Sequence, residues 1–545
     1  MIIKQTFRTL KSTALIALML LLTDCSRNPV TGKRQLLLMS EAQELALGKE
    51  SDPQVLNQYG MYPDEALQKY LSEKGKEIAK VSHRPDLDFQ YKVIDSDVVN
   101  AFAIPGGYVY FTRGIMAHFN SEAQLMGVLG HETGHVTARH SAQQYTSQTF
   151  SQIGLVIGMI AFPKFQQFGN AASTGLQLMF LKNSRDHETQ ADKLGVDYSS
   201  RLGYDAKDMA DFFKTLGRLG AGDDGKQQIP SFLSTHPDPG DRFNNVKAMA
   251  TAYQTQNPQT YRTEREKYLR LLDGVVYGED PRQGYVESNQ FYHPELKFQF
   301  PVPQNWKYVN TPSQVQMVSA DQKGMMILAV GGEKSLDEAA AAVLKQYSLA
   351  VVNQKNTQIN GLPAIMQLAD QVPQQAQEQA QAQAMNMQKT NKNPSGSNGQ
   401  SQPSSTSSRP TSTANPSNPT PPSSSPQGQP TTTQDPTTPR VLTALIQYNG
   451  AIYRIHGVST LADFNTYVNT FQATMQGFKP LTDAAKINVS PDRLRLRQVL
   501  FDGTLNDAFK AFGMPEKRYK ELSILNGIAL TDRVTSGMTL KTFSK

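Results

Sequence analysis

A chain of 545 residues allows two to four domains, each able to bury a core of its own, and a single domain does not account for it. Aliphatic and aromatic residues make up 38% and charged residues 19%, averages lowered by one very polar tract in an otherwise ordinary globular composition. The net charge of +6 is spread without a dense basic block, which excludes a nucleic-acid binder.

Lys4, Arg8 and Lys11 precede an apolar run at residues 14–22. The run is too short to span a bilayer and suits a signal peptide over residues 1–25, so the chain is expected to be exported to the periplasm. Its one cysteine follows directly in Leu22-Thr23-Asp24-Cys25-Ser26, a segment that resembles a bacterial lipobox. The resemblance implies a lipid on Cys25 and attachment to the outer membrane. Asp24 departs from the pattern, which puts a small uncharged residue before the cysteine, and the alternative is an incidental thiol in a secreted protein.

Residues 26–275 read as the first globular unit, mainly α with a small β-sheet. Strands are expected at 89–94 and 107–112, the second because Tyr108, Val109, Tyr110 and Phe111 are β-formers after a Pro105-Gly106-Gly107 turn. That strand is read either as a sheet edge that pairs with an extended substrate or as an ordinary core strand. Next comes His131-Glu132-Thr133-Gly134-His135, on a helix that opens with the capping-box form Ser121-Glu122-Ala123-Gln124 and carries Leu125, Val128 and Leu129. Histidines at i and i+4 project from one face, so both imidazoles reach one zinc ion, and Glu132 beside them is placed to take a proton from water.

A catalytic zinc needs a third protein ligand. A second helix carries Ser184-Arg185-Asp186-His187-Glu188-Thr189-Gln190-Ala191-Asp192, and spacing alone does not separate Glu188 from Asp186 or His187. Asp192, four positions after Glu188, shares its face and is suited to accept a hydrogen bond from a ligand histidine. The apolar run 153–162 reads as a buried hairpin helix or a lid over the cleft, and His140 as a structural residue or a neighbour of the ligands.

Asn100-Ala101-Phe102-Ala103-Ile104-Pro105-Gly106-Gly107, then His131 to His135, then Glu188 with Ala191 and Asp192, resembles the zincin-type metallopeptidase family that includes HtpX, the CAAX prenyl proteases, the Oma-type mitochondrial proteases and periplasmic BepA. The resemblance covers roughly residues 28–246 and implies Glu188 as the third zinc ligand. It also bears on Ser234-Thr235-His236-Pro237-Asp238-Pro239-Gly240-Asp241-Arg242. It implies that this segment approaches the metal, with Arg242 supporting the ligands and His236 either stabilising an oxyanion or plugging the zinc in a latent state. No tetratricopeptide pattern follows, so a role in outer-membrane protein assembly is not implied.

An α+β domain is expected over 280–370 and 441–485, vaguely similar to PsbP-like folds. It has strands at 291–301 and 315–330, a helix at 335–351, a hairpin around Asn449-Gly450 and a helix at 464–478. The Gln-, Ser-, Thr- and Pro-rich tract 371–440 interrupts it and is too polar to fold. Residues 490–545 read as strand, helix, helix, strand, and Asp502-Gly503-Thr504-Leu505 with Leu525-Asn526-Gly527 resembles a LysM module. That resemblance implies binding to N-acetylglucosamine-containing glycans such as peptidoglycan; the reversed Asp502-Gly503 order leaves a structural cap as the alternative. The expected activity is zinc-dependent hydrolysis of extended or misfolded polypeptides in the bacterial envelope. The rival readings are a zinc-bound chaperone or wall-anchored scaffold and a cell-wall amidase.

Overall fold

The computed structural model describes residues 24–154, 183–220, 231–236, 239–372 and 435–545. The signal-peptide run, most of the apolar stretch 153–162, Pro237, Asp238 and nearly all of the polar tract 371–440 lie outside these residues. Two compact units result: Met1–Met317 with Ile327–Val330 and Gln476–Lys545, and Val318–Met326 with Gly331–Met475.

In the first unit, β1 (Asp24–Arg27) pairs antiparallel with β2 (Arg34–Leu37). Helices α1 (Glu41–Tyr59) and α2 (Glu65–Val81) precede strands β3 (Gln90–Ile94), β4 (Ala101–Ile104) and β5 (Tyr108–Thr112). Then come α3 (Arg113–His118), α4 (Glu122–Thr137), α5 (His140–Gly154), α6 (Arg185–Arg201) and α7 (Lys207–Gly220). The series closes with α8 (Ser231–Thr235), α9 (Pro239–Gln256) and α10 (Arg265–Leu272).

The sheet order is β3-β5-β4, with β5 parallel to β3 and antiparallel to β4. Of the two readings of the strand at 107–112, the ordinary core strand holds: it is the centre of the sheet, paired on both sides, and not a substrate-facing edge. Apolar content placed that strand in a sheet but could not rank it, because all but one of its residues are buried as a central strand's are. Among the described residues, β4 is the edge strand next to α4.

Every residue of α4 is buried. Its N-cap is Ser121, whose Oγ accepts from Gln124 N at 3.1 Å. The Gln124 side chain returns to the backbone N–H of Asn120 at 2.8 Å, one residue short of the Ser121 N–H that a capping box uses. The crossing of α4 with α6 is set by glycine: a Cβ on Gly130 would lie 3.1 Å from Gly195 Cα, and one on Gly195 would lie 2.8 Å from Gly127 O. Only bare backbones approach this closely, and the approach is what brings residues 188 and 192 against 131 and 135.

The C-terminal residues belong to this first unit. Strand Asp492–Gln498, helices Leu505–Ala511 and Tyr519–Leu525 and strand Thr539–Ser544 run in that order, the two strands antiparallel. The boundaries drawn from sequence at 275 and 490 do not part compact bodies. Val276–Tyr277 pairs with the start of the Asp492–Gln498 strand, and Leu494, Leu522 and Leu540 share one apolar core with Phe119, Phe212 and Tyr268. These partners are far apart along the chain, so no local pattern announces them.

In the second unit, helix Leu336–Tyr347 ends where Ser348 turns left-handed (φ 52°). Antiparallel strands Leu349–Ile359, Leu362–Gln371, Pro439–Tyr448 and Ala451–Thr460 follow. The first of these occupies part of the helix expected at 335–351 and is exposed along most of its length, so it lacks the alternation that would have revealed it. Asn449 and Gly450 both take positive φ, as a type I′ hairpin requires. Residues 362–371 pair directly with 439–448, and Arg440 Nε donates to Asp370 Oδ1 at 2.6 Å. The polar tract is thus inserted between neighbouring strands of one sheet. Among the described residues no helix is long and apolar enough to cross a membrane.

Candidate metal centre

His131 and His135 stand one turn apart on α4 with Nε2 atoms 3.0 Å from each other. Glu188, from the first turn of α6, places its carboxylate 3.6 Å from His131 Nε2 and 3.5 Å from His135 Nε2. His236, just after α8, brings Nδ1 to 3.0 Å from Glu188 Oε1 and 3.4 Å from His131 Nε2. One ligand atom from each of these four buried residues lies within 4.8 Å of all the others. A tetrahedral ion with bonds of zinc's length separates its ligand atoms by about 3.3 Å, so the measured separations are close to the edges of such a tetrahedron. Three imidazole nitrogens and one carboxylate oxygen are also the donor types zinc takes, and the group fits that ion.

Of the three candidates on α6, only Glu188 enters the cluster. Asp186 is exposed, and His187 stacks on His140 with ring centroids 4.2 Å apart while its Nε2 meets Gln143 Oε1 at 3.2 Å.

The ligands are held from behind. Asp192 Oδ1 lies 2.9 Å from His131 Nδ1, which fixes the proton there and leaves Nε2 free for an ion. Arg242, on α9, grips Asp192 with both arms of its guanidinium, Nε to Oδ2 at 2.8 Å and Nη2 to Oδ1 at 2.6 Å, and sets Nη1 3.0 Å from Glu188 Oε2. Its guanidinium carbon also sits 4.3 Å from the centre of the Phe213 ring. Burial opposes ionisation of Glu188 and Asp192. The charges facing them outweigh it, led by His236 for Glu188 and by Arg242 for Asp192, and hold both carboxyls down at about 2. Sequence separations of 50 and more hide the Arg242 contacts with Asp192 and Glu188 from any local reading.

His140 also has a defined task. Arg139, between α4 and α5, adopts a left-handed backbone (φ 60°), a conformation that costs about 1 kcal/mol for a residue with a side chain. Its Nε donates to buried Glu44 at 2.8 Å, which offsets that cost. The reversal swings His140 back so that its Nδ1 lies 2.8 Å from His135 Nδ1, with its Nε2 2.9 Å from Gln190 Oε1. Burial, reinforced by His187, pushes the His140 pKa down to about 3, so the ring is neutral. With Nε2–H donating to Gln190, its Nδ1 accepts the His135 Nδ1–H, and His135 presents Nε2 to the cluster. Replacing His140 by phenylalanine is expected to weaken zinc binding roughly 10- to 100-fold in a competition titration with a chromophoric chelator. Unchanged affinity would refute the role.

Glu132 is outside the ligand group. It is 1% exposed, its Oε1 has no hydrogen-bond partner, and His236 Nε2 stands 3.6 Å away. Burial raises its pKa above the usual carboxylate value, opposed first by His236 and then by His131. A buried carboxylate oxygen left free beside a metal-sized tetrad is suited to accept a proton from a molecule lodged there.

Residues 65–250 match the model of peptidase family M48. The mitochondrial metalloendopeptidase OMA1 of Arabidopsis thaliana is 31% identical over 175 residues, 32% of this chain and 34% of that protein. A putative beta-barrel assembly-enhancing protease of Vibrio cholerae is 30% identical over 221 residues, 39% of this chain and 45% of that one. The chain thus covers less than half the length of either relative. The solution structure of cyanobacterial PsbP from Synechocystis aligns at 8% identity with a TM-score of 0.21, over 35% of this chain and 91% of that one.

Proposed function

From the premise that residues 65–250 are a segment of peptidase family M48, we propose that this chain is a zinc-dependent endopeptidase of the bacterial envelope that cleaves extended or misfolded polypeptides. The observation that carries the reading is the buried group His131, His135, Glu188 and His236 with Glu132 beside it.

His131, His135 and Glu188 would hold the zinc ion. When bound, the ion supplies Lewis acidity toward the attacking water and the scissile carbonyl. Glu132 takes the proton from that water on Oε1 and delivers it to the leaving amide nitrogen. Arg242 and Asp192 keep His131 in the tautomer that donates from Nδ1, and His140 does the same for His135. Carboxylates with opposite burdens support the division of labour: Glu188 is held ionised by His236 and Arg242, whereas burial makes Glu132 more basic.

An extended substrate would add to the outer edge of β4, which packs on α4. Export to the periplasm accords with the leader-like sequence of residues 1–22 and with the similarity to a putative beta-barrel assembly-enhancing protease of Vibrio cholerae. A lipid on Cys25 would tether the chain to the outer membrane, and the C-terminal residues would contact peptidoglycan.

The test is casein hydrolysis by the purified protein alongside metal analysis. About one zinc per chain is expected, with activity lost on chelation and restored by added zinc. Hydrolysis indifferent to chelation, or no zinc retained, would end the proposal.

A further inference from the structure

The backbone that leads into α4 is held from outside the peptidase segment. Tyr268 OH donates to Met116 O at 2.7 Å. Lys541 Nζ donates to Ala117 O at 2.7 Å and to Phe119 O at 2.9 Å. Arg265 bridges, donating from Nη1 to Asn120 O at 3.3 Å and from Nη2 to Thr539 O at 2.8 Å. Gly527 sits so close that a Cβ there would lie 3.0 Å from Asn120 Nδ2, and Arg218 Nη2 donates to Ser523 Oγ at 2.5 Å.

Lys541 is completely buried, and that burial, with Arg265 nearby, pushes its pKa well below the ordinary lysine value. A lysine is costly in such a place, and its N–H groups there serve two carbonyls just ahead of the Ser121 cap. Beneath these polar contacts the apolar core runs without a break from Phe119 and Phe212 to Leu522, Leu540 and Phe543.

We infer that residues 492–545 are a positioning element of the metal helix, with Lys541 and Arg265 fixing the 117–120 segment and hence where His131 and His135 stand. The inference rests on the metal-site reading of those histidines. His131 lies ten residues past Ser121, about 15 Å along the helix. A tilt of about 4° at the cap therefore displaces the imidazoles by about 1 Å, enough to cost roughly 10²-fold in rate. The substrate is untouched by these residues, so the loss falls on kcat and not on KM.

The experiment uses the full-length zinc-loaded protein and the variants Lys541→Met, Arg265→Gln and, as a control on the exposed Arg533–Asp502 pair, Arg533→Ala. Hydrogen exchange of amides 117–125, zinc affinity by chelator competition, and kcat and KM on fluorogenic casein are measured for each. Lys541→Met and Arg265→Gln are expected to speed exchange at 117–125, weaken zinc roughly tenfold and lower kcat by about 10²-fold with KM unchanged. Arg533→Ala should match the parent in all three. Should the first two variants lose only thermal stability and keep zinc affinity, exchange and kcat, the module is a cap and the inference is overturned. If Lys541→Met fails to fold, Arg265→Gln decides alone. If the parent protein cleaves no casein, the peptidase reading fails, while the exchange and zinc measurements still judge the positioning role.

Discussion

Glu132→Gln is expected to lower the kcat for casein by roughly 10²- to 10⁴-fold while leaving the zinc content at the parent level. The amide keeps the volume of the carboxylate, so the packing of α4 is preserved and no cavity term enters. It removes the one property the position supplies, an oxygen that accepts a proton inside a site closed to bulk water. Zinc binding is spared because Glu132 is not one of the four groups that converge. Activity equal to the parent's would remove Glu132 from the reaction. Loss of zinc together with activity would mean that it supports the ion instead of the proton transfer. Metal analysis on the same preparation as the rate assay separates the two.

What the sequence discloses about this site is what one helix can disclose. The i, i+4 spacing of His131 and His135, the Ser121 cap and the apolar flank all lie within seventeen residues, and each is visible as a local pattern. Glu188 sits at the limit: its helix is legible, but the choice against Asp186 and His187 rests on family resemblance, and the fold makes it by turning Asp186 to solvent and stacking His187 on His140. The supports are not legible because their geometry is non-local. Arg242 on α9 reaches Asp192 on α6 from fifty residues away, and Asp192 meets His131 across an α4–α6 crossing that depends on Gly127, Gly130 and Gly195, glycines that look like defects in a helix until the partner is known. His140 reaches His135 only because Arg139 reverses the backbone, and an arginine carries no signal for positive φ. Sheet position stays open in the sequence for the same reason: β5 and an edge strand share one composition, and only pairing tells them apart.

His236→Ala is expected to raise casein hydrolysis, and the direction follows from where its nitrogen lies. Nδ1 takes the fourth corner of the tetrad, the position a catalytic zinc keeps open for water, so the described arrangement is a closed one. The segment that carries His236 is moored beside the edge strand. Phe232 N donates to Val99 O at 3.2 Å, two residues before β4 begins, and the Phe232 ring stacks on the imidazole with centroids 4.4 Å apart. An extended polypeptide pairing along β4 would meet that mooring. Deleting the imidazole removes the closed state and the 3.0 Å contact of Nδ1 with Glu188 Oε1, but keeps His131, His135 and Glu188 themselves, with Arg242 Nη1 still 3.0 Å from Glu188 Oε2. A closed state occupied about nine-tenths of the time gives roughly tenfold more activity when it is abolished, and one occupied 99% of the time about a hundredfold. The opposite role predicts the opposite sign. If the imidazole instead donates to the developing oxyanion, its loss costs about 10²- to 10³-fold in kcat. Initial rates of parent and His236→Ala at matched zinc occupancy therefore decide between latch and stabiliser, and a fall would overturn the latch.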